Sequence, residues 1–471
     1  MGFKDSREFI KALDKTGDVV HVKQEVDWEL EIGAISRRSC EISGPAVMFE
    51  NIKDYPGQRV LASPLAIYRR FAIALGMDPE TSLRDMYEEY ARRMEHPIPP
   101  VVVKDGPCKE NIIQGEDIDI FRFPAPLIHD GDGGRYAGTW AFEITKDLHS
   151  SWVNWAIHRV MIYNRNTVAG LFTQGKHIGM HIAAYLAEKK PVPVAIVIGA
   201  DPISTFVSSF FIEARQDEAD YAGALNQEPV ELVKCETIPL HVPAYAEIVI
   251  EGELQPDITV PEGPFGEFSG YRHGIEWQNI VKIKAITHRN DPIFTCANTG
   301  MPMHESLTNG LARSFDYMRY FKGLGLPVTG VNIPPEFSCM AMVVAVKKTQ
   351  GNIAMRIKNA IMAWRPIAYH KIFIVDDDVD IFNLNEVLHA FSAKCHPKRG
   401  IKVSDDEMVV PLVPSLSKEE RSAFTGSVAL FDCTWTIDLP KEEVLQKIAF
   451  STYPEQLKNK VLKNWSDYGF K

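Results

Sequence analysis

The chain has 471 residues, 45% of them apolar and 24% charged, a globular composition too long for a single core, so two or three domains are expected. Its formal net charge of −11 argues against nucleic acid or an anionic membrane as the main partner. No run approaches the roughly 18 apolar residues of a membrane span, the N-terminus has no signal-peptide apolar segment, and the singly scattered cysteines, with no C-x-x-C pair, fit a reducing cytoplasm.

Residues 5–16 place Phe9, Ile10 and Leu13 on one helical face. Asp5 serves as cap, Glu8 follows as in a capping box, and Gly17 stops the helix. A strand is predicted over 19–22 and helices over 27–41, 64–76 and 81–94, before His96-Pro-Ile-Pro-Pro100 breaks the chain. This gives an N-terminal α/β domain over 1–115. From 116 the character turns to β. Strands are predicted over 139–145, 159–163, 168–172, 192–198, 246–251 and 280–287, with helices over 178–188 and 218–225 inserted among them. Mostly β with a few helices predicts a barrel or a strongly curled sheet over 116–303. A connecting helix over 304–327 follows, ending near Gly323. The alternation of strands (341–347, 372–376) and helices (353–363, 385–391) makes 328–471 a C-terminal α/β domain. The tail over 441–467 reads as a helix with Val444, Ile448, Leu457, Val461 and Leu462 as its apolar positions, suited to docking on another subunit.

Within the β-rich middle, Glu262-Gly-Pro-Phe-Gly-Glu267 sets two carboxylates five residues apart around Gly263, Pro264 and Gly266. Glycine and proline there make a shaped turn, able to aim two acids at one cavity, although a tight connection with two surface glutamates has the same sequence. Asn154, His177 and Glu218 offer an amide oxygen, an imidazole and a carboxylate, a set that suits Mg²⁺ or Mn²⁺. A structural histidine and a solvated glutamate remain the competing reading. His177 and His181 stand at i, i+4 as in a zinc site, but no Glu follows the first His. Ser208-Ser209 lacks the G-x-S-x-G context of a hydrolase. The Gly131–Gly134 run precedes a strand and is no dinucleotide fingerprint. Asp376-Asp-Asp378 reads as a strand end.

Taken in order, these residues make the chain resemble the UbiD family of decarboxylases over nearly its whole length. The resemblance is carried by Asn154-x4-Arg159, Lys176-His177-Ile178, Glu218-x-Asp-Tyr221, Lys234-Cys-Glu236-Thr, Glu262-Gly-Pro-Phe-Gly-Glu267, Asp377-Asp-Val-Asp-Ile-Phe-Asn383 and the C-terminal Asn464-Trp-Ser-Asp-Tyr-Gly-Phe470. It implies reversible, non-oxidative decarboxylation of an aromatic or heteroaromatic acid by prenylated FMN, which bonds to the substrate and takes up the electrons released with CO₂. The cofactor is expected in a split β-barrel at Asn154, Trp155, Ala156, Ile157, His158, Arg159, Lys176, His177 and Glu218. By motif position, Mn²⁺ (or Mg²⁺) falls to Asn154, His177 and Glu218, and K⁺ to the Trp152 carbonyl, Ser208 and Glu218. Arg159, Glu262 and Glu267 match the catalytic set, with Glu267 as proton donor. Where some members carry a cofactor-binding lysine, this chain has Trp364-Arg365, and Arg365 is the candidate substitute. Small residues at the pocket positions Gly310, Ala368 and Val410 point to a bulky or fused-ring acid, of phenazine or naphthoate type, over a hydroxybenzoate or cinnamate. A homodimer and a flavin prenyltransferase as cofactor supplier are also implied. A non-catalytic subunit of a larger carboxylase and a plain FMN oxidoreductase stand as the alternatives.

Overall fold

The computed structural model describes residues 2–470 apart from 173–174, 211, 302–304, 365–368, 438–439 and 441–442, and describes no side chains at 306–308. The N-terminal sheet runs, in spatial order, Val19–Val22, Ala46–Phe49, Arg59–Ala62 and Ile293–Cys296. The last of these returns from late in the chain to pair in parallel with Arg59–Ala62. The helix Ser6–Thr16 buries Phe9, Ile10 and Leu13 and closes on left-handed Gly17. Asp5 Oδ1 accepts the Glu8 N–H at 2.8 Å. The other half of the capping box is displaced, since Glu8 Oε2 accepts from the Lys4 N–H. The helix predicted over 27–41 starts only at Glu31, after Leu30 in a left-handed conformation with φ of 67°.

The central sheet is antiparallel and curls into half a barrel. Its order is Tyr136–Gly138, Val160–Asn164, Thr167–Gly170, Glu276–His288, Ile248–Glu262, Val192–Ile198, Ala141–Lys146 and Val153–Ala156, with Asn111–Gln114 also pairing on Glu276–His288. Two strands far exceed their predicted lengths. Ile248–Glu262 and Glu276–His288 form a long hairpin arm, kinked by register shifts between Glu251 and Gly252 and between Leu254 and Thr259. Such bulges bend a strand and increase its twist, which carries the end of the arm, and Glu262 with it, back over the barrel mouth. The C-terminal sheet, Val328–Asn332, Ala341–Val346, Lys371–Asp376, Thr425–Cys433 and Ile401–Met408, is parallel in its middle and antiparallel at its edges.

The helix Ser306–Gly323 joins the two halves. Leu311 and Phe315 enter a core with Phe71, Tyr90, Phe142 and Trp155, where Tyr90 stacks on Phe315 with ring centroids 3.9 Å apart. One turn on, Tyr317 and Phe321 enter the C-terminal core. Ser314 Oγ donates to the Gly310 carbonyl at 2.6 Å and accepts from the Ile333 N–H at 3.0 Å, pinning the helix to the edge of the C-terminal sheet.

The tail departs from expectation. Among the described residues its α-helix is Glu455–Lys463, preceded by a 3₁₀ turn at Phe450–Thr452. Pro454 is the reason: the residue before a proline is pushed out of the helical region, and Tyr453 is extended (φ −70°, ψ 154°).

A methyl group at Gly310 would run into the Ile333 carbonyl oxygen, whereas one at Gly323 would meet nothing within 4 Å. Gly310→Ala is therefore expected to destabilise the joint by about 1–3 kcal/mol and Gly323→Ala to leave it unchanged or slightly stabler. Thermal denaturation of the two variants checks this.

Candidate active site

The loop between Val153–Ala156 and Val160–Asn164 delivers Arg159 to the barrel mouth. Its backbone is fixed on three sides. The Trp155 N–H donates to Glu218 Oε2 at 2.8 Å, the Ile157 N–H to the Ser208 carbonyl at 3.1 Å, and the Leu171 N–H to the Arg159 carbonyl at 3.1 Å. The Arg159 guanidinium forks into Glu262, with Nε 2.9 Å from Oε1 and Nη2 2.7 Å from Oε2. Its Nη1 donates to Glu267 Oε1. Tyr136 donates its hydroxyl to Glu262 Oε1 at 2.9 Å. All of these side chains are buried. Burial holds the Glu262 carboxyl above the ordinary range, against the opposing pull of Arg159 and Tyr136.

Arg159 and Glu267 line a cavity of about 290 Å³, together with Phe265 and Phe268, while Glu262 sits behind the guanidinium. The whole run Asn154–Arg159, with Lys176, His177 and Ser208, lines the same cavity. Glu218 lies just behind it, 2% exposed. Its carboxyl is pushed up to about 8 by burial, and among the described residues no Lys or Arg pairs with it. The Asn154 amide is buried with its nitrogen unpartnered. Burial, with Arg313 next, pushes the Lys176 ammonium down to about 8. The ring of His177 packs edge-on against Trp152 at 4.9 Å. The Ser208 hydroxyl donates to the Ser204 carbonyl at 2.8 Å, and the Trp152 carbonyl accepts from the Asp147 N–H at 2.9 Å. His181 does not join His177 in a zinc face. It pairs with Thr145 at 3.0 Å, and no cluster of three or more His, Cys, Asp or Glu suited to a metal occurs among the described residues.

Arg365 and Ala368 lie outside the described residues. Gly310 faces the Ile333 carbonyl, and the cavity wall nearby is formed by Asn309, Arg313 and Leu412, not by Gly310 or Val410. Two contributors escaped the sequence reading. Tyr136 holds Glu262 from 126 residues away, and its only local signal is an aromatic residue opening a short strand. Glu143 faces His158 Nδ1 at 2.9 Å. Burial pushes the carboxyl well up and the imidazole well down, which favours the neutral form of each. Its signal was a glutamate at a core-facing strand position, where a charge is out of place.

Three family domains match in succession, described as the N-terminal domain (residues 10–90), the Rift-related domain (101–302) and the C-terminal domain (307–433) of 3-octaprenyl-4-hydroxybenzoate carboxy-lyase. The chain belongs to the UbiD family of carboxy-lyases. Among its UbiD relatives, it is 34% identical to the pyrrole-2-carboxylic acid decarboxylase of Pseudomonas aeruginosa, over 99% of this chain and 98% of that one. The vanillic acid decarboxylase of Sedimentibacter hydroxybenzoicus in its closed form superimposes with a TM-score of 0.89 at 30% identity, covering 99% of each chain. The UbiD-class enzyme HmfF of Pelotomaculum thermopropionicum, solved with FMN, gives 0.85 at 29% identity, covering 94% of this chain and 97% of that one. An evolved dimeric form of HmfF with prFMN gives 0.81 at 27% identity, covering 96% and 99%.

In this UbiD chain the Arg159 cation is what permits two carboxylates inside a protein. Replacing it by methionine leaves Glu262 with Tyr136 alone against burial, so its pKa rises further above the unfolded value. Such a group stabilises the fold below its unfolded pKa and loses that contribution as pH rises through the folded one. Arg159→Met should therefore lose about 3–5 kcal/mol at pH 8 and distinctly less at pH 5, read as the difference in thermal midpoint from the parent at each pH.

Proposed function

We propose that the protein is a prenylated-FMN-dependent decarboxylase of aromatic or heteroaromatic carboxylic acids. The observation that carries this reading is the buried Arg159 fork, which presents a guanidinium edge and the Glu267 carboxyl to the cavity that the Asn154–His158 run also lines. The matched relatives are named for pyrrole-2-carboxylic and vanillic acid decarboxylases, and HmfF has been solved with FMN and prFMN.

The residues fit such a cofactor. Asn154, His177 and Glu218 would hold Mn²⁺ or Mg²⁺ at the flavin phosphate. Glu218, buried without a cationic partner, is the carboxylate that a divalent ion compensates. The Trp152 carbonyl, Ser208 and Glu218 would hold K⁺. Lys176, with its depressed pKa, would regain its full charge beside a phosphate. When bound, the prenylated flavin supplies an electrophilic carbon that takes up the electron pair left by departing CO₂.

The protein's own part is positioning and proton delivery. Glu262 and Tyr136 hold the guanidinium of Arg159 in one plane, and Arg159 orients the substrate carboxylate by charge-assisted hydrogen bonds. Glu267, bonded to the same guanidinium, first takes up a proton from water and, after CO₂ leaves, delivers it to the ring carbon and returns to the carboxylate. Phe265 and Phe268 shield the reacting end from water. Single-ring heteroaromatic and phenolic acids head the substrate class, after the acids for which the matched relatives are named, and the small size of Gly310 is accounted for by its contact with Ile333. Fused-ring acids form the second group. A homodimer is part of this reading, supported by the exposed Leu445, Ile448 and Phe450 of the tail. No helix among the described residues is long and apolar enough to cross a membrane.

The test uses protein co-produced with a flavin prenyltransferase, examined by native mass spectrometry and by CO₂ release from pyrrole-2-carboxylate, vanillate, cinnamate and naphthoate. A flavin heavier by one prenyl unit, with turnover of one class, is expected. Glu267→Gln should keep the flavin and lose at least about 10²-fold in turnover, and His177→Ala should lose the bound divalent ion by elemental analysis. Plain FMN or no flavin under these conditions, or full turnover by Glu267→Gln, would overturn the reading.

A further inference from the structure

The turn that carries Glu267 rests on a histidine outside the cavity. His129 Nε2 lies 2.8 Å from the Thr299 carbonyl oxygen and 3.1 Å from Asn298 Oδ1. The orientation of that amide is fixed, because Asn298 Nδ2 donates to the Gly33 carbonyl and to Ser36 Oγ. His129 Nδ1 lies 3.0 Å from Asp132 Oδ2. A carbonyl and a carboxylate only accept, so each ring nitrogen faces acceptors alone and each must carry a proton. The partners therefore suit an imidazolium paired with a carboxylate whose side chain is fully buried.

The pair grips the turn directly. Asp132 Oδ1 accepts the Gly266 N–H at 2.9 Å, and the next N–H, that of Gly133, donates to the Pro264 carbonyl at 2.7 Å. Thr299, whose carbonyl accepts from His129 Nε2, donates its hydroxyl to the Gly266 carbonyl. Gly266 lies so close on the His129 ring that a side chain there would collide with it. Phe265 packs edge-on to the same ring at 5.9 Å. Both peptide groups of the residue before Glu267 are thus tied to the two residues that the imidazolium bridges.

We propose that His129, doubly protonated and locked between Asp132 and Thr299, is a positioning residue that holds the Gly263–Glu267 turn so that Glu267 reaches Arg159 and the substrate. This rests on the role given to Glu267 above. Burial pulls the imidazole pKa down, but its bonds to Asp132, Thr299 and Asn298 outweigh this and raise it above the ordinary value. The other charged groups around the ring are Asp130 on its own loop, Arg37 bonded to the Asn298 carbonyl, Arg272 bonded to the Asp130 carbonyl, and the Arg159–Glu267 pair beyond Phe265. The imidazolium is present below its pKa and lost as pH rises through it, so the grip weakens on the alkaline side.

The experiment combines nitrogen NMR of histidine-labelled holoenzyme with pH profiles of kcat. The His129 signal, assigned by its loss in His129→Gln, should show both nitrogens protonated at pH 7. His129→Gln should lower kcat by about 10–100-fold with KM within about threefold and remove the alkaline limb of the parent profile. Asp132→Asn should shift that limb to lower pH, which a merely structural role would not do. A neutral ring at pH 7, or an alkaline limb unmoved in Asp132→Asn, overturns the proposal. If the parent turns over none of the acids, the assigned function fails, while the NMR signal still decides the proton count on His129.

Discussion

A guanidinium shared by two buried carboxylates is the interaction on which the site depends. Neither glutamate would be tolerated alone at this depth, since an unpaired buried carboxylate costs several kcal/mol or gives up its charge. The three charged groups come from two places, Arg159 from the loop after Val153–Ala156 and Glu262 and Glu267 from the end of the hairpin arm. Bringing them together requires a sheet that curls, an arm long enough to return over the mouth, and a turn that presents a second carboxylate five residues on. The bulges in Ile248–Glu262 and the glycines around Pro264 meet those requirements.

The same rule of burial governs the rest of the cavity, with different outcomes. Glu143 and His158 are driven toward a neutral pair by losing water together. Among the described residues Glu218 has the Trp155 N–H but no cation, so burial outweighs that bond and raises its proton affinity. Lys176 is pulled the other way. Around the cavity, Arg159 is compensated by Glu262 and Glu267, whereas Glu218 and Lys176 are each pushed toward their neutral forms by burial. In the proposed reading a divalent ion and a phosphate would balance Glu218 and Lys176, and a substrate carboxylate would compete with the two glutamates for the guanidinium.

The sequence was legible where burial is uniform. The strand Val192–Ile198 is an unbroken apolar run and was read to the residue, and the first helix was read from its cap and its glycine stop. The long arm was read only at its buried ends, because the exposed outer part around Gln255–Thr259 lacks an apolar pattern. Val153–Ala156, which carries Asn154, is too short to show a period. In the site, the two glutamates of the turn stood out through glycine, proline and spacing, and the family resemblance marked the run 154–159 and assigned the roles. Tyr136 and Asp132 did not, because each acts on a residue more than a hundred positions away and nothing local marks that pairing. Gly310 shows a related ambiguity. A small residue signals close approach, and the sequence does not say whether a ligand or, as here, the Ile333 carbonyl makes it.

That packing matters beyond the one position. The helix Ser306–Gly323 presents Asn309 and Arg313, one turn apart, to the cavity. Gly310 and Ser314, on the adjoining face, meet the C-terminal sheet, and Leu311 and Phe315 belong to the core shared by the first two domains. Three neighbouring faces of one helix thus answer to three different surroundings. A helix is stiff along its axis, so a shift of the C-terminal sheet against the barrel cannot be absorbed between Ser314 and Arg313. It must move Asn309 and Arg313 relative to Arg159, or break the stack of Phe315 on Tyr90. The width of the cavity at Asn309 and Arg313 therefore depends on how the C-terminal domain sits on the other two, as well as on the side chains that line it.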